Sequence, residues 1–573
     1  MPQAVDNVAL ALEQLSEQVR SLESRVATLE GRSAASSTAE PNGASVALQR
    51  PPAPAIWRGF PPLETPSGAV SILGKAVLGI AGAYLLRALA ESSAIPKLPV
   101  LLVAILYACF WMVWAVRVHG ASRFASSAYA VTSALILAPL LWESTVRFQV
   151  LSAAIAAAIT VAFVVLAIAL AWRQDLQLIP WVATLASVIT AVALIIETHE
   201  LVALTLAMLA VALITELAAC LGHRLTLRAI PALGADFAVW LLVYILASET
   251  IPEGYHSAAT STIASLCLLL LAIYGASIGI RSFVLRHPIT AFEVGQAFVA
   301  FALATYGVMR ATHGSLAEPL GAAYLLPAAA CYWGTLSRFS NDTYMRNRRV
   351  SATWAAGLLL TGGFLLFPAN FQAPFLALAA AVATYLYTRT RKLSLGMHAS
   401  FYLIAAVAVS TVPVYAADAL AEDVASLPDW RVWVVLISAA ACYVLGSRST
   451  EDQRRRRMLW LIPAAVVSFT VTALAVVAIV HLASIYGALN ASMLSMIRTA
   501  VICAVALALG FLGARGMRVE LGWLAYVTVG LGTLKLFLED LRFGNAASLV
   551  LSLFFYGLIL ILLPRLTKRG ELD

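Results

Sequence analysis

Ionisable side chains inside apolar segments are the residues of this chain that are the best candidates for a functional role. Glu216 lies near the end of one apolar run and Asp236 near the beginning of the next, so a short connection would place the two carboxylates side by side. Two carboxylates at one depth in a membrane could share a proton or hold a cation. The alternative is structural, with Arg224 or Arg228 reaching back from the connection to neutralise them.

His398 and Lys535 are two further polar residues in apolar surroundings. His398 stands in the segment GMHASFYLIAAVAVS, and an isolated histidine is more typical of a hydrogen-bonded interior residue than of a metal ligand. Lys535 precedes Glu539 by one helical turn, whereas Asp540 would lie on another face of an α-helix. A lysine that is followed by acidic residues at the end of a span typically extends its ammonium group to the membrane interface. No metal site and no cofactor are predicted.

The elements that must position these residues are membrane-spanning helices. The chain has 573 residues, of which 61% are hydrophobic and only 12% are charged, and this excludes a soluble globular protein. Apolar runs long enough to cross a bilayer as helix recur from about residue 68 onward. We predict an all-α, polytopic transmembrane bundle of about eighteen spans, with centres near residues 80, 107, 134, 160, 187, 211, 239, 270, 300, 326, 358, 379, 406, 438, 470, 505, 529 and 555.

Charge asymmetry between the loops predicts the orientation. With a cytoplasmic N-terminus, the inside loops and tail hold roughly 24 Lys and Arg residues and the outside loops about 6. We therefore expect a multi-pass membrane protein with both termini in the cytoplasm. The net charge of +8 then reflects helix orientation, so the lipid bilayer is the expected partner and nucleic acid is not.

Four segments follow one another along the chain. Residues 1–30 contain an unbroken heptad pattern of apolar residues, which predicts a cytoplasmic parallel coiled coil and self-association through it. The alternative is a single amphipathic helix lying on another surface. Residues 31–67 are rich in Pro, Ser and Ala and predict a flexible linker. Residues 68–566 form the predicted transmembrane domain, and 567–573 form a cytoplasmic tail.

The C-terminal hairpin carries a pattern that resembles a known family. Lys535, Phe537, Asp540 and Leu541 form K-x-F-x-x-D-L, and a Ser and a Gly follow at Ser552 and Gly557. The pattern, the coiled coil and the linker resemble a bacterial family of polytopic membrane proteins of unknown function, although Leu549 stands where a basic residue is expected. The resemblance implies an inner-membrane location and no particular activity. It also implies that Lys535 and Asp540 form a pair that pins the last hairpin or contacts an anionic headgroup.

No motif of known chemistry in the sequence indicates a function. The outside loops are short, and we find no nucleotide-binding, metalloprotease or hydrolase motif in a suitable context. The first hypothesis is a non-enzymatic scaffold or assembly component of the cell envelope. The second is a transporter or flippase-like protein, which should show a polar cavity inside the membrane. The third is a membrane enzyme acting on a lipid-linked substrate.

Overall fold

A computed structural model describes residues 66–92, 96–120, 122–172, 177–222, 228–338, 345–421, 427–447, 453–487, 490–516, 518–540 and 546–569. The predicted coiled coil and nearly all of the predicted linker lie outside these residues. The described part of the chain is helical and contains no β-strand.

Nineteen α-helices, numbered here in chain order, make up the described part of the chain. They are α1 (Pro66–Glu91), α2 (Lys97–Val118), α3 (Arg123–Trp142), α4 (Ala153–Trp172), α5 (Leu178–Thr198), α6 (Leu201–Cys220), α7 (Ala229–Leu246), α8 (Thr260–Gly279), α9 (Ala291–Ala311), α10 (Ala317–Trp333), α11 (Met345–Leu366), α12 (Ala369–Thr390), α13 (Leu393–Val409), α14 (Val412–Ala421), α15 (Trp430–Ser447), α16 (Gln453–Ser484), α17 (Ala491–Arg515), α18 (Val519–Lys535) and α19 (Ala546–Arg569). Four π-helical turns continue α3, α8, α10 and α18, over Glu143–Arg147, Ile280–Val284, Gly334–Arg338 and Leu536–Asp540.

The helices form a polytopic transmembrane bundle, as predicted. Fifteen of the described helices are long and apolar enough to cross a membrane, and the bent pair α13–α14 raises this number to sixteen. Every one of the eighteen predicted centres falls within a helix. Helices α10 and α15, however, are not among those long and apolar enough to cross a membrane.

Small residues let the helices of this bundle approach one another closely. The buried positions are dominated by alanine, and overlapping apolar clusters join α2–α5, α4–α11, α11–α17 and α16–α19. Large apolar side chains such as Leu106, Leu326 and Ile437 are more than half exposed and point away from the bundle. This distribution is the one expected for helices that are solvated by lipid.

One predicted span is broken in two. Helices α13 and α14 meet at an angle of 61° at Ser410 and Thr411, where the backbone is no longer helical. Pro413 lies in the first turn of α14, where it has no N–H to bond the carbonyl of Val409 and its ring would clash with that carbonyl in a continuous helix. The sequence predicts one span here, centred near residue 406, and the structure divides it into two helices at this bend.

Candidate functional site

Four helix ends meet around Arg228, the residue that precedes α7. Its Nη1 donates to Oε2 of Glu216 on α6 at 3.2 Å, and its Nη2 donates to Oε1 of Glu293 on α9 at 3.0 Å. Arg281, in the π-turn after α8, also donates to Glu293, and the Ser277 hydroxyl donates to Glu216 at 2.5 Å. We call these five residues the arginine–carboxylate cluster. It contains two arginines and two carboxylates, so its formal charge is balanced.

Glu293 owes its position in this cluster to the start of α9. Thr290 and Glu293 form a capping box, in which the Thr290 main-chain N–H donates to Glu293 Oε2 at 2.7 Å. The other oxygen of the same carboxylate is left to accept from Arg228 and Arg281. A local helix-capping pattern thus places a carboxylate where two other helices bring their guanidinium groups.

Asp236 lies on α7, two turns into the helix, and hydrogen-bonds a neutral group. The side-chain nitrogen of Gln296 on α9 donates to both carboxylate oxygens, at 2.9 and 2.8 Å, and both residues are buried. Glu216 and Asp236 are therefore held by different partners, and among the described residues no cation pairs with Asp236. Glu216 forms an ion pair with Arg228, which is the contact that the structural alternative proposed. A proton or cation shared by Glu216 and Asp236 stays a prediction.

His398 belongs to a chain of hydrogen bonds between α10 and α13. The Tyr332 hydroxyl lies 3.0 Å from His398 Nδ1 and 2.5 Å from the hydroxyl of Tyr402, which is almost fully buried. No group of three His, Cys, Asp or Glu side chains that could hold a metal ion occurs in the described ranges. This arrangement links two helices and does not resemble a metal centre.

Lys392 precedes α13 and caps carbonyl groups in the π-turn that follows α10. Its ammonium group donates to the main-chain carbonyls of Thr335 and Leu336, at 2.8 and 2.9 Å, in the π-turn after α10. Burial lowers the pKa of Lys392, and the positive charge of Arg348 lowers it further. The sequence analysis did not single out this residue.

Lys535 turns toward α17. Its ammonium group donates to the Ser495 carbonyl at 2.6 Å, to the Ser495 hydroxyl at 3.0 Å and to the Thr499 hydroxyl at 2.8 Å. Glu539 lies 3.5 Å from the same ammonium group, one turn further along. Lys535 is thus bound by residues of α17 as well as by Glu539 of its own segment.

Arg498 is the functional candidate that the sequence analysis missed. It is 4% exposed, and its Nη1 donates to Glu539 at 2.8 Å while its Nε donates to the Ala419 carbonyl on α14 at 3.1 Å. The signal was available, because Arg498 interrupts a long apolar run. We call Arg498, Lys535, Glu539, Ser495 and Thr499 the Arg498–Lys535 cluster.

Asp540 ends the π-turn that follows α18, and its side chain is outside the described part of the structure. Because a π-turn bonds residues five apart, it brings position 540 closer to the face of Lys535 than α-helical spacing does. The predicted pairing of Lys535 with Asp540 stays a prediction. The described partner of Lys535 on this turn is Glu539.

A cavity of about 320 Å³ lies beside the break between α13 and α14. Its wall includes residues from both sides of the break and from α16, α17 and α18, among them Val407, Val412, Thr470, Ile502, Thr528 and Leu531. Three hydroxyl groups are buried without a described hydrogen-bond partner, namely those of Thr411 at the break, Tyr415 in the first turn of α14 and Thr470 on α16. The cavity is mostly apolar, but Thr470 brings one of these unpaired hydroxyl groups to its wall.

Comparisons with protein families, with curated proteins and with solved structures find no match, so the family resemblance of the C-terminal hairpin stays a hypothesis.

Proposed function

We propose that this protein is a transporter or flippase-like protein of a bacterial inner membrane, with both termini in the cytoplasm. The observation that carries the proposal is the broken helix α13–α14 beside a cavity. Non-helical backbone at membrane depth is tolerated where it is buried in protein or lines a cavity, and broken helices of this kind form binding sites in many transporters.

The unpaired hydroxyl groups support a ligand site at this break. A buried polar group without a partner costs about 1–3 kcal/mol. Of the three such hydroxyl groups, that of Thr470 lies on the cavity wall, and those of Thr411 and Tyr415 belong to the break and to the first turn of α14. A buried hydroxyl group without a hydrogen-bond partner can form its hydrogen bond with a bound ligand or with water that enters the cavity. The Thr470 hydroxyl group on the cavity wall therefore supports a ligand that carries a polar group.

Helix α14 is also connected to the far side of the cavity. Its Ala419 carbonyl accepts from Arg498 on α17, which in turn contacts Glu539 after α18. A short helix with a bend at one end and a charge-assisted contact at the other is suited to hinge motion. Such motion would open and close the cavity.

A non-enzymatic scaffold is the second candidate, and the arginine–carboxylate cluster favours it. Its charges are balanced by contacts between helices, so these residues need no transported ligand to explain them. A scaffold would hold the helices around the cavity in one arrangement. The two candidates therefore differ in whether the cavity is accessible from both faces of the membrane.

Cysteine accessibility distinguishes the candidates. In a variant whose six native cysteines are replaced by serine, Thr470→Cys is exposed to a membrane-impermeant maleimide added to either face of sealed vesicles. We expect labelling from both faces, because alternating access presents the cavity to each side in turn. Thr384→Cys on α12 is the matched control, since Thr384 and Thr470 are both 0% exposed but Thr384 does not line the cavity. Labelling of Thr470→Cys from one face only, or from neither, would contradict transport and favour the scaffold.

A further inference from the structure

We propose that Asp236 on α7 is a proton-binding residue, and that Gln296 on α9 is its hydrogen-bond partner in both protonation states. The ligand is a proton supplied by water. The proposal goes beyond the proposed function, because it concerns the helices α6–α9 and requires no ligand in the cavity beside α14.

Asp236 is the carboxylate of this region that has no cation. Asp236 and Gln296 are 7% and 6% exposed, and among the described residues no arginine, lysine or histidine forms an ion pair with Asp236. The two arginines and two carboxylates of the arginine–carboxylate cluster already balance one another. An ionised Asp236 would therefore add a third negative charge against two positive ones.

The position of Asp236 makes an unpaired charge costly. It lies eight residues beyond Arg228, which corresponds to about 12 Å along the axis of α7. Helices α5, α6, α8 and α9 pack around α7. A carboxylate in such surroundings loses its hydration, and without a cation the usual outcome is that it takes up a proton and becomes neutral.

The Gln296 amide is a suitable partner for a group that gains and loses a proton. In the structure, its Nε2 donates to both carboxylate oxygens of Asp236. The amide also carries an acceptor, Oε1, and its terminal torsion rotates readily. When a proton adds to one Oδ atom, the new O–H can donate to Oε1 while Nε2 still donates to the other oxygen. Arginine and lysine offer donors only, so they would serve only the ionised form.

The groups around Asp236 have reasons to keep their own protonation state. Glu216 and Glu293 each accept from a guanidinium group, which stabilises the ionised carboxylate. Tyr274 on α8 is buried and lies within electrostatic reach of Asp236 and Glu216, but a tyrosine keeps its proton at neutral pH. Helix α5 carries one titratable residue, Glu197, near its far end. The titratable or charged groups that face this region are Glu216, Cys220, Arg228, Tyr274, Arg281 and Glu293.

Infrared spectroscopy of the full-length protein tests the site, because a protonated carboxyl group has a carbonyl band that a carboxylate lacks. The protein is purified in a maltoside detergent, which has no carbonyl group, and spectra are recorded as the pH is raised. We expect the band at neutral pH, its reversible loss at higher pH, and its complete loss in Asp236→Asn. Glu318→Gln is the control, because it removes an exposed carboxylate on α10 and should leave the band unchanged.

Two further measurements concern the fold and the partner. Asp236→Asn should keep the Tm of the unmodified protein at neutral pH, since an amide then replaces a neutral acid of nearly the same shape. A variant that fails to fold would show that the negative charge is required, and it would overturn the proposal. Gln296→Met should shift the band to higher frequency, because the carboxyl group loses its hydrogen bond. An unchanged frequency would refute the role of Gln296.

A band that persists in Asp236→Asn would assign the proton to another residue. Absence of the band from the unmodified protein at neutral pH, or a band that does not respond to rising pH, would equally overturn the proposal. Loss of the band on adding sodium chloride, but not potassium chloride, at constant pH would indicate a sodium site instead. None of these results depends on the labelling of Thr470→Cys, so this proposal and the proposed function can fail separately.

Discussion

Arg228 joins three helices through a single side chain. It precedes α7 and contacts Glu216 on α6 and Glu293 on α9, and all three side chains are largely buried. Burying charges is costly, and mutual attraction offsets that cost only while each charge keeps its partners. Arg228 is therefore the residue of the arginine–carboxylate cluster whose loss leaves the most charge uncompensated.

Replacing Arg228 by methionine should destabilise the bundle strongly. Arg228→Met keeps an unbranched side chain but leaves Glu216 without its cation, and we expect the free energy of unfolding to fall by about 3–5 kcal/mol. Reversible unfolding in mixed micelles with increasing dodecyl sulfate measures this change. The double variant Arg228→Met with Glu216→Gln should recover part of the loss, since the buried, unpaired carboxylate charge is then removed. Strictly additive losses would show that the two residues are not coupled.

The sequence predicted this site only in part. Arg228 could be proposed as a partner of Glu216 because the two are separated by one short connection. Glu293 and Gln296 could not, because they are about sixty residues further along and approach only when α9 packs beside α7. Apolar periodicity describes single helices, and it contains no information about which helices become neighbours.

At the scale of the element, hydropathy did not predict the bend in the thirteenth predicted span. The segment VSTVPVYA is apolar enough to continue a span, so hydropathy favoured one straight helix. Pro413 was the local signal against it, because a proline inside a helix removes a hydrogen bond and clashes with the preceding turn. By contrast, the span centres were predicted well, since a run of about twenty apolar residues is itself a local property.

Helices α10 and α11 make the closest backbone approach that we describe. A Cβ atom on Gly321 would lie 2.6 Å from the main-chain nitrogen of Leu366 and 2.7 Å from the carbonyl oxygen of Gly362. Both contacts are to backbone, so no side chain can rotate to make room. The crossing depends on the absence of a side chain at Gly321.

We expect Gly321→Ala to push α10 and α11 apart and to lower the free energy of unfolding by about 1–3 kcal/mol, the usual cost of overpacking. The same dodecyl sulfate titration measures it. Gly357→Ala on α11 is the control, because a Cβ there would meet nothing within 4 Å. Alanine favours helix over glycine, so Gly357→Ala should be neutral or stabilising by up to about 1 kcal/mol. Equal effects of the two substitutions would contradict the close crossing.

At the scale of the whole molecule, we propose that residues 1–30 join two copies of the chain. The heptad pattern places Leu15 at a core position and Glu17 on the outer face of the coil. Anchoring in a membrane raises the local concentration of such short coils, which favours pairing. These residues lie outside the described structure, so the pairing is a prediction from the sequence alone.

Cysteine crosslinking tests the pairing in native membranes. In the variant without native cysteines, Leu15→Cys should form a disulfide-linked dimer under mild oxidation, because core positions of a parallel coil face each other. Glu17→Cys should give much less dimer, since its side chain would point away from the partner. Equal crosslinking at both positions would indicate random collision, and none at Leu15→Cys would favour a helix that lies on another surface.

The arginine–carboxylate cluster also has a consequence for how the chain is inserted into the membrane. The hairpin α6–α7 carries Glu216 and Arg228, and the hairpin α8–α9 carries Arg281 and Glu293. An unpaired charge is costly to bury in a membrane protein, but each hairpin brings both members of one ion pair. The insertion machinery can therefore receive these helices two at a time with that pair already neutral. In this order of insertion, the contact between Arg228 and Glu293 would form when the second hairpin docks on the first.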